Sequence, residues 1–442
     1  MKILFISLGC DKNLVDTEKM IGLLSERGYE FTDDETQAQA VIVNTCCFIG
    51  DAKEESINTL LEMAELKKSG QLKAIIASGC LAQRYKEEIQ KEIPEVDALI
   101  GTMSVSAIAD TLDSVVKGMP RNTFYELSTK PYSGGKRILT TGGHFAYLKI
   151  AEGCDKNCTY CIIPKVRGGY RSIPMEELIE EAKKLAEEGV KELILVAQET
   201  TLYGKDLYGR KSLPELLKKL CEIPGLYWIR VLYCYPEEIT DELIETIKNE
   251  KKICNYLDIP IQHASDDVLR RMGRWTNEEH LRTVIGKLRE SIPDIALRTT
   301  LISGFPGETQ EDFEELYRFV NEMEFDRLGV FTYSAEEDTV AADMPDQIPE
   351  EVKAARRDEL MQLQQAIAFE KNEDMPGKIM TVMVEGKVAD EDVYVTRTYR
   401  DAPGVDGYLF LKTTARLVSG DFVKVIVTDV NEYDLIGEIY NE

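Results

Sequence analysis

Short apolar runs separated by amphipathic stretches of helix length recur along most of this chain, and that rhythm restricts the fold more than any other feature. In residues 1–100 the runs are KILFISLG, AVIVNT and LKAIIASG. Stretches of helical period lie between them. One carries Met20, Ile21, Leu23 and Leu24 and closes at Gly28; the next sets Ile57, Leu60, Leu61 and Ala64 at i, i+3, i+4 and i+7. Strands that alternate with helices build parallel sheets, because each parallel pair needs a long crossover. Residues 1–117 are therefore expected to form a doubly wound α/β domain.

Residues 118–144 are rich in Gly, Ser, Thr and Pro without periodicity and read as a linker. The rhythm resumes at 145, with strand candidates at 145–151, 192–197, 228–234, 256–261, 295–302 and 328–333. Six βα units over 145–372 predict a partial, TIM-like (β/α)6 barrel. Ser172, Pro174 and Gly189 bracket one of its helices as cap, first turn and stop, and a charged helix over about 350–372 closes it. Residues 373–442 alternate apolar and polar positions in five short runs, which fits a small antiparallel barrel of the oligonucleotide-binding type.

No run of eighteen apolar residues is present, so no membrane span is expected. The opening MKILFISLGC has too short an apolar run and too little positive charge for a signal peptide, and reads as a strand entering a loop. A cytoplasmic location follows, and ten cysteines in a reducing compartment point to metal or catalysis rather than disulfides.

Cys10, Cys46 and Cys80 each end a predicted strand, 36 and 34 residues apart, one βα unit each time. The carboxyl ends of parallel strands converge on one crevice, so the fold would gather three thiols there. Cys47 beside Cys46 leaves the second member open, since adjacent side chains diverge. A lone cysteine ending a core strand is also a common small hydrophobe. Cys154, Cys158 and Cys161 form a local C-x3-C-x2-C set on the loop after the first barrel strand, at the face where barrel active sites lie. GCDKN occurs at 9–13 and again at 153–157, but the flanks do not repeat, so the two copies are two post-strand loops and no duplication. Structural zinc takes four closed ligands, and four-iron clusters commonly take four cysteines. Three ligands on a four-iron cluster leave one iron open as a reaction centre. Cys221, Cys234 and Cys254 lack partners and read as core.

Among other polar residues, Tyr160 precedes the last cysteine of the local set. Gln198 and Glu199 follow the second barrel strand, and Arg230 and Tyr233 lie on the third. Strand-end positions suit cofactor contacts, and barrel filler explains each equally well. Gln262 and His263 follow the fourth strand, and a lone histidine there reads first as structural. The turn GFPGET at 304–309 and His144 in the linker carry no case of their own.

These motifs together resemble the radical S-adenosylmethionine enzymes, and the whole chain resembles their methylthiotransferase branch. The matching stretches are SLGCDKNLVDTE, VNTCCFI, ASGCLAQRY, EGCDKNCTYCIIP, VAQETTLYG, PIQHASDDVLRRMGR, LISGFPGET and DAPGVDG. The tRNA-modifying members tend to read GCQMN at the first cysteine. This chain reads GCDKN…VDTE, similar to the GCPKN…VDSE of the type acting on ribosomal protein uS12, with Asp11 in place of the usual proline.

The resemblance implies an N-terminal methylthiotransferase domain, a radical barrel and a C-terminal TRAM barrel. It implies a 4Fe–4S cluster on Cys154, Cys158 and Cys161 that binds S-adenosylmethionine, with Tyr160, Gln198, Glu199, Arg230 and Tyr233 as cofactor-contact candidates. A second 4Fe–4S cluster on Cys10, Cys46 and Cys80 would present sulfur, methylated by a second S-adenosylmethionine. A reductant such as flavodoxin or ferredoxin would supply electrons, and a 5′-deoxyadenosyl radical would take hydrogen from the β-carbon of an aspartate in uS12. Acid–base side chains alone cannot do this at an unactivated C–H bond.

The charge balance agrees. The chain holds 53 basic and 79 acidic residues, a net of −26. Residues 373–442 hold 7 basic and 14 acidic residues, a net of −7. A barrel that grips RNA should be basic, so direct nucleic-acid binding is not expected and a basic protein suits it better. The rivals are tRNA adenosine methylthiolation by the same chemistry, an iron–sulfur electron carrier or redox sensor, and a zinc protein.

Overall fold

The structure, a computed structural model, describes residues 1–441. Its first sheet contains β1 (Lys2–Ser7), β2 (Glu30–Phe31), β3 (Ala40–Thr45), β4 (Ala74–Ser78) and β5 (Ala98–Ile100) in the order β2-β1-β3-β4-β5. Every neighbouring pair is parallel. Alternate residues feed two cores. Ile3, Ile42 and Ile76 pack with Met20, Leu24, Ile108 and Leu112 from the helices Asp11–Glu26 and Ile108–Val116. Leu4, Val41, Val43 and Ile75 pack on the other face with Leu60, Met63 and Ala64 of the helix Gly50–Lys68. This is the doubly wound sheet expected from the period-2 and period-3.6 patterns.

The Gly50–Lys68 helix sits rotated from its expected face. Leu60 and Ala64 are buried, but Met63 and Ser56 complete the stripe, while Ile57 and Leu61 are 37% and 45% exposed. The sequence offered two overlapping apolar stripes, and sheet contact selected one. Leu60→Ala is expected to cost about 2–5 kcal/mol in urea denaturation, whereas Ile57→Lys and Leu61→Lys should each stay within about 0.5 kcal/mol of wild type.

A second sheet begins with β6 (Phe145–Lys149). A two-stranded ribbon, β7 (Ala151–Glu152) with β8 (Arg171–Ser172), follows it. The sheet continues through β9 (Glu192–Val196), β10 (Trp228–Val231), β11 (Ile253–Asp258), β12 (Ala296–Ser303) and β13 (Arg327–Thr332). These six strands lie side by side in chain order and all parallel, as an open partial barrel. The fourth lies three residues earlier than expected, because Pro260 has no N–H to offer a ladder. Ser172 is not a helix cap as expected. It belongs to the ribbon and donates to Asp206 at 2.6 Å, while the helix Met175–Glu187 starts after Pro174. Leu193, Leu195, Ile229, Val231 and Leu257 face the surrounding helices.

The concave face is covered by the C-terminal barrel. β14 (Ile379–Lys387), β15 (Val393–Thr398), β16 (Leu409–Lys412), β17 (Phe422–Asn431) and β18 (Asp434–Ile439) close in the order β14-β15-β16-β18-β17. Its Met383 and Ala402 pack on Ile194, Val196, Trp228, Leu232 and Tyr256 of the concave face. The helix Glu350–Glu373 bridges the two units.

Residues 118–144 are irregular, and they are tied down. Arg137 pairs with Glu18 at 2.6 Å and Glu181 at 2.9 Å. A Cβ at Gly22 would meet the Lys136 carbonyl at 1.9 Å, so the helix and the passing strap touch only because that residue is glycine. His144 meets Glu385 of the C-terminal barrel at 2.7 Å. The segment is thus a strap across three units. Among the described residues no helix is long and apolar enough to cross a membrane.

Candidate active site

The order β2-β1-β3-β4-β5 places its topological switch between β1 and β3, where open α/β sheets bind ligands beyond the strand ends. Cys10 follows β1 at the start of the Asp11–Glu26 helix, Cys46 follows β3, and Cys80 follows β4 in the short helix Gly79–Arg84. A Cβ at Gly9 (φ +83°) would lie 2.6 Å from Cys46 Cβ and 2.7 Å from its sulfur, so the Gly9–Cys10 turn passes directly over Cys46. Burial pushes the Cys46 thiol up to about 12, and both Cys80 and Cys10 lie close enough to add to it. Burial also raises Cys80, against the pull of the Arg167 guanidinium.

Cys47 turns away. It is fully buried in the apolar core that also holds Cys80, near Arg84, whereas the Gly9–Cys10 turn passes over Cys46. Ser56 holds the Cys46 backbone by bonds of 2.9 Å to its N–H and its carbonyl.

Cys154, Cys158 and Cys161 lie on the loop after β7. Burial drives Cys154 up to about 12 and Cys161 higher still, with Cys158 adding to both. Backbone N–H groups of Lys156, Ile163 and Phe48 lie near enough to Cys154, Cys161 and Cys46 respectively to favour their thiolates against the cost of burial. Iron replaces the thiol proton on binding, so high free-thiol values do not oppose it. Among the described residues no three donors converge on the point that one metal ion would occupy. Cluster ligands sit on different irons and do not have to converge; the soft, buried thiol sets fit that group.

The two cysteine sets are joined by a buried ionic web. Arg167 pairs with Glu152 at 2.8 Å and Asp16 at 3.3 Å, and reaches Asn13. Lys149 bonds Asp16 and lies 2.8 Å from Glu152. Glu152 is two residues before Cys154, and Asn13 and Asp16 are on the helix that Cys10 opens.

The other expected contacts separate. Tyr233 (φ +60°) lines the cavity described below, with Lys12 3.2 Å over its ring and its hydroxyl 3.3 Å from Asp11. Glu199 is fully buried near Cys154, pushed up to about 7 by burial, with Oε2 making no hydrogen bond and lying 3.9 Å from the Lys156 ammonium; Gln198 donates to Glu152 at 3.0 Å and leaves its oxygen unpaired. Tyr160 packs edge-on against Phe305, 6.4 Å between centroids. Arg230 does not join them. It pairs with Glu192 at 2.8 Å, donates to the Tyr399 carbonyl at 2.6 Å and anchors the C-terminal barrel. Its place on the third barrel strand suited a cofactor contact or barrel filler, and only the docked barrel decided between them.

Sequence reading missed Arg274 and Tyr235. Tyr235 Oη is 3.6 Å from Cys158 Sγ, and the Arg274 guanidinium lies 4.1 Å over the Tyr235 ring with Nε and Nη1 buried and unpaired. The only trace in the sequence was an arginine in a polar, arginine-rich turn.

His263 is structural. It is fully buried, its Nδ1 accepts from Ser265 N–H at 3.0 Å, and burial lowers it to about 3. A histidine held neutral in the fold opposes protonation, so its contribution is present above the unfolded value near 6.5 and is lost as pH falls toward 3. Acid titration of stability should therefore be shallower in His263→Gln than in wild type over that window, by at most about 1.4 kcal/mol per pH unit.

A cavity of about 350 Å³ opens beside Cys10. Ser7, Gly9 and Asp11 come from the first domain, Tyr147, Tyr233, Asp258 and Arg298 from the concave barrel face, and Ala402, Pro403 and Val405 from the C-terminal barrel. All three units thus contribute walls.

A parallel six-stranded partial barrel with a three-cysteine loop after its first strand defines the radical SAM class, and the pattern of the radical SAM superfamily matches residues 148–320. Residues 2–101 match the uncharacterized protein family UPF0004, and 377–439 match the TRAM domain. Over 437 residues the chain is 64% identical to the ribosomal protein uS12 methylthiotransferase RimO of Lachnoclostridium phytofermentans, covering 99% of each. It is 51% identical to the protein so named in Acetivibrio thermocellus, over all of this chain and 99% of that one. The chain belongs to the RimO family of ribosomal protein uS12 methylthiotransferases. Among solved structures it shares its fold with the radical S-adenosylmethionine methyltransferase TsrM of Kitasatospora setae, at TM-score 0.55 and 14% identity over 74% of this chain and 72% of that one.

Proposed function

We propose that this chain adds a methylthio group to the β-carbon of one aspartate of ribosomal protein uS12. The observation that carries the reading is the gathering of Cys10, Cys46 and Cys80 at the switch point, beside a cavity that all three units wall. A radical enzyme that transfers no sulfur would need only the loop set.

Cys154, Cys158 and Cys161 would hold one 4Fe–4S cluster, and Cys10, Cys46 and Cys80 a second. Bound there, the clusters and S-adenosylmethionine supply a radical able to take hydrogen from an unactivated carbon and the methylthio group that replaces it. The protein's part is orientation and exclusion of water. The unpaired oxygen of Gln198, and Oε2 of Glu199, which carries no hydrogen bond and only the long 3.9 Å pair with Lys156, can accept from an ammonium group, and the unpaired nitrogens of Arg274 can donate to a carboxylate. Tyr160 and Phe305 wall the cluster loop. Lys12, clamped by Asp11 at 2.9 Å, holds Tyr233 against the cavity. A one-electron donor of the flavodoxin or ferredoxin class and a cytoplasmic location complete the reading. The acidic surface supports a basic protein substrate over an RNA.

The test incubates the reconstituted chain, S-adenosylmethionine and reductant with a peptide copying the uS12 loop, and separately with tRNA. A peptide mass gain of one methylthio group less one hydrogen is expected. Modification of tRNA alone would overturn the substrate, and absence of deoxyadenosine would leave an electron carrier.

A further inference from the structure

Three charged side chains line the cavity beside Cys10: Asp11, Asp258 and Arg298. Arg298 is therefore the cation among its described lining residues. It projects from β12 into the concave face, and its side chain keeps 20% exposure while the groups that fix it are buried. Its Nη1 donates to Asp258 at 3.0 Å, and its Nε lies 3.4 Å from Asp406. Both acids are themselves held. Asp258 accepts from Tyr233 N–H at 3.0 Å, and Asp406 accepts from Tyr256 Oη and from Ala402 N–H, each at 2.8 Å. Among the described residues Nη2 makes no hydrogen bond.

A guanidinium carries five donors in a planar fork. Asp406 takes the Nε side and Asp258 takes Nη1, which leaves Nη2 for the cavity, where a carboxylate would make a charge-assisted pair. The loop that carries Ala402, Pro403 and Val405 forms the facing wall, and Asp406 at its end ties that wall to the same arginine. We infer that Arg298 receives the side-chain carboxylate of the substrate aspartate and so selects aspartate over neutral residues. This rests on the peptide reading above. The carboxylate is attached to the carbon that must react, so gripping it orients that carbon next to Cys10's side of the cavity.

The test measures binding of two labelled peptides copying the uS12 loop, one with aspartate and one with asparagine at the modified position, to the full chain by fluorescence anisotropy. Wild type should favour the aspartate peptide by roughly 10–100-fold, as a site built around a polar partner rejects the analogue that lacks it. Arg298→Gln should erase the preference, and Arg298→Lys should keep part of it. A preference that persists in Arg298→Gln overturns the inference and leaves the peptide reading standing. If wild type binds neither peptide, the peptide reading falls and takes this inference with it. S-adenosylmethionine binding should be unchanged in Arg298→Gln; its loss with the peptide preference intact would assign Arg298 to the cofactor and overturn the proposal. Should Arg298→Gln fail to fold by circular dichroism, Asp406→Asn decides. Removing that counter-charge should sharpen the preference for aspartate, and an unchanged preference overturns the inference.

Discussion

Anaerobically reconstituted Cys154→Ala and Cys46→Ala should each hold about four irons where the wild type holds about eight, and neither should modify the peptide at a detectable rate. The two losses have different spectroscopic signatures. In Cys154→Ala added S-adenosylmethionine should give no signature of direct coordination to iron, only methylation of sulfur on the remaining cluster, whereas in Cys46→Ala it should still coordinate the remaining cluster. Cys47→Ala is the internal control. Its side chain lies in the apolar core near Arg84, away from Cys10, so its iron content should match the wild type. Unchanged iron in Cys46→Ala, or a loss of four irons in Cys47→Ala, would mean that the wrong neighbour has been assigned to the crevice.

Arg167→Met is expected to lower stability by about 3–5 kcal/mol in urea denaturation of the metal-free protein, because it strands buried carboxylates without their counter-ion. Arg167 and Glu152 are each 1% exposed, and Asp16 is 7% exposed. Arg167 is held strongly in its charged form by Glu152, Cys80 and Asp16 against the cost of burial, and Glu152 is held well below the usual carboxylate range by Arg167 and Lys149 against the same cost. Removing the cation therefore raises the free energy of several charges at once. Arg27→Met, which breaks an exposed pair with Asp110 and Asp113, should leave the midpoint in place. If both variants unfold alike, the web between the two cysteine sets carries no special weight.

The parallel sheets were legible because their strands are buried on both faces and read as continuous apolar runs, which survive any local ambiguity. The loop cysteines were legible because their geometry is local, within eight residues of chain. Helix faces were less so. In Gly50–Lys68 the apolar residues permit two stripes, and the packing of β3 and β4 chose Leu60 and Ala64 while leaving Ile57 and Leu61 in solvent. Arg230 shows the same limit at the site. An arginine on a barrel strand suits a cofactor contact or barrel filler equally, and the C-terminal barrel filled the place with Tyr399.

Sequence alone determined the βα rhythm and the local run of Cys154, Cys158 and Cys161, since each depends on spacing along the chain. Tertiary structure decided that the Gly9–Cys10 turn passes over Cys46, while Cys47 is buried in the apolar core. It also decided that the strap 118–144 is pinned, and that Asp258, Arg298 and the 402–405 loop share one cavity. Those residues are separated by up to about four hundred positions, and no pattern in a chain encodes which distant side chains meet. That follows only from how the twisted sheets stack and what the barrel at the end of the chain covers.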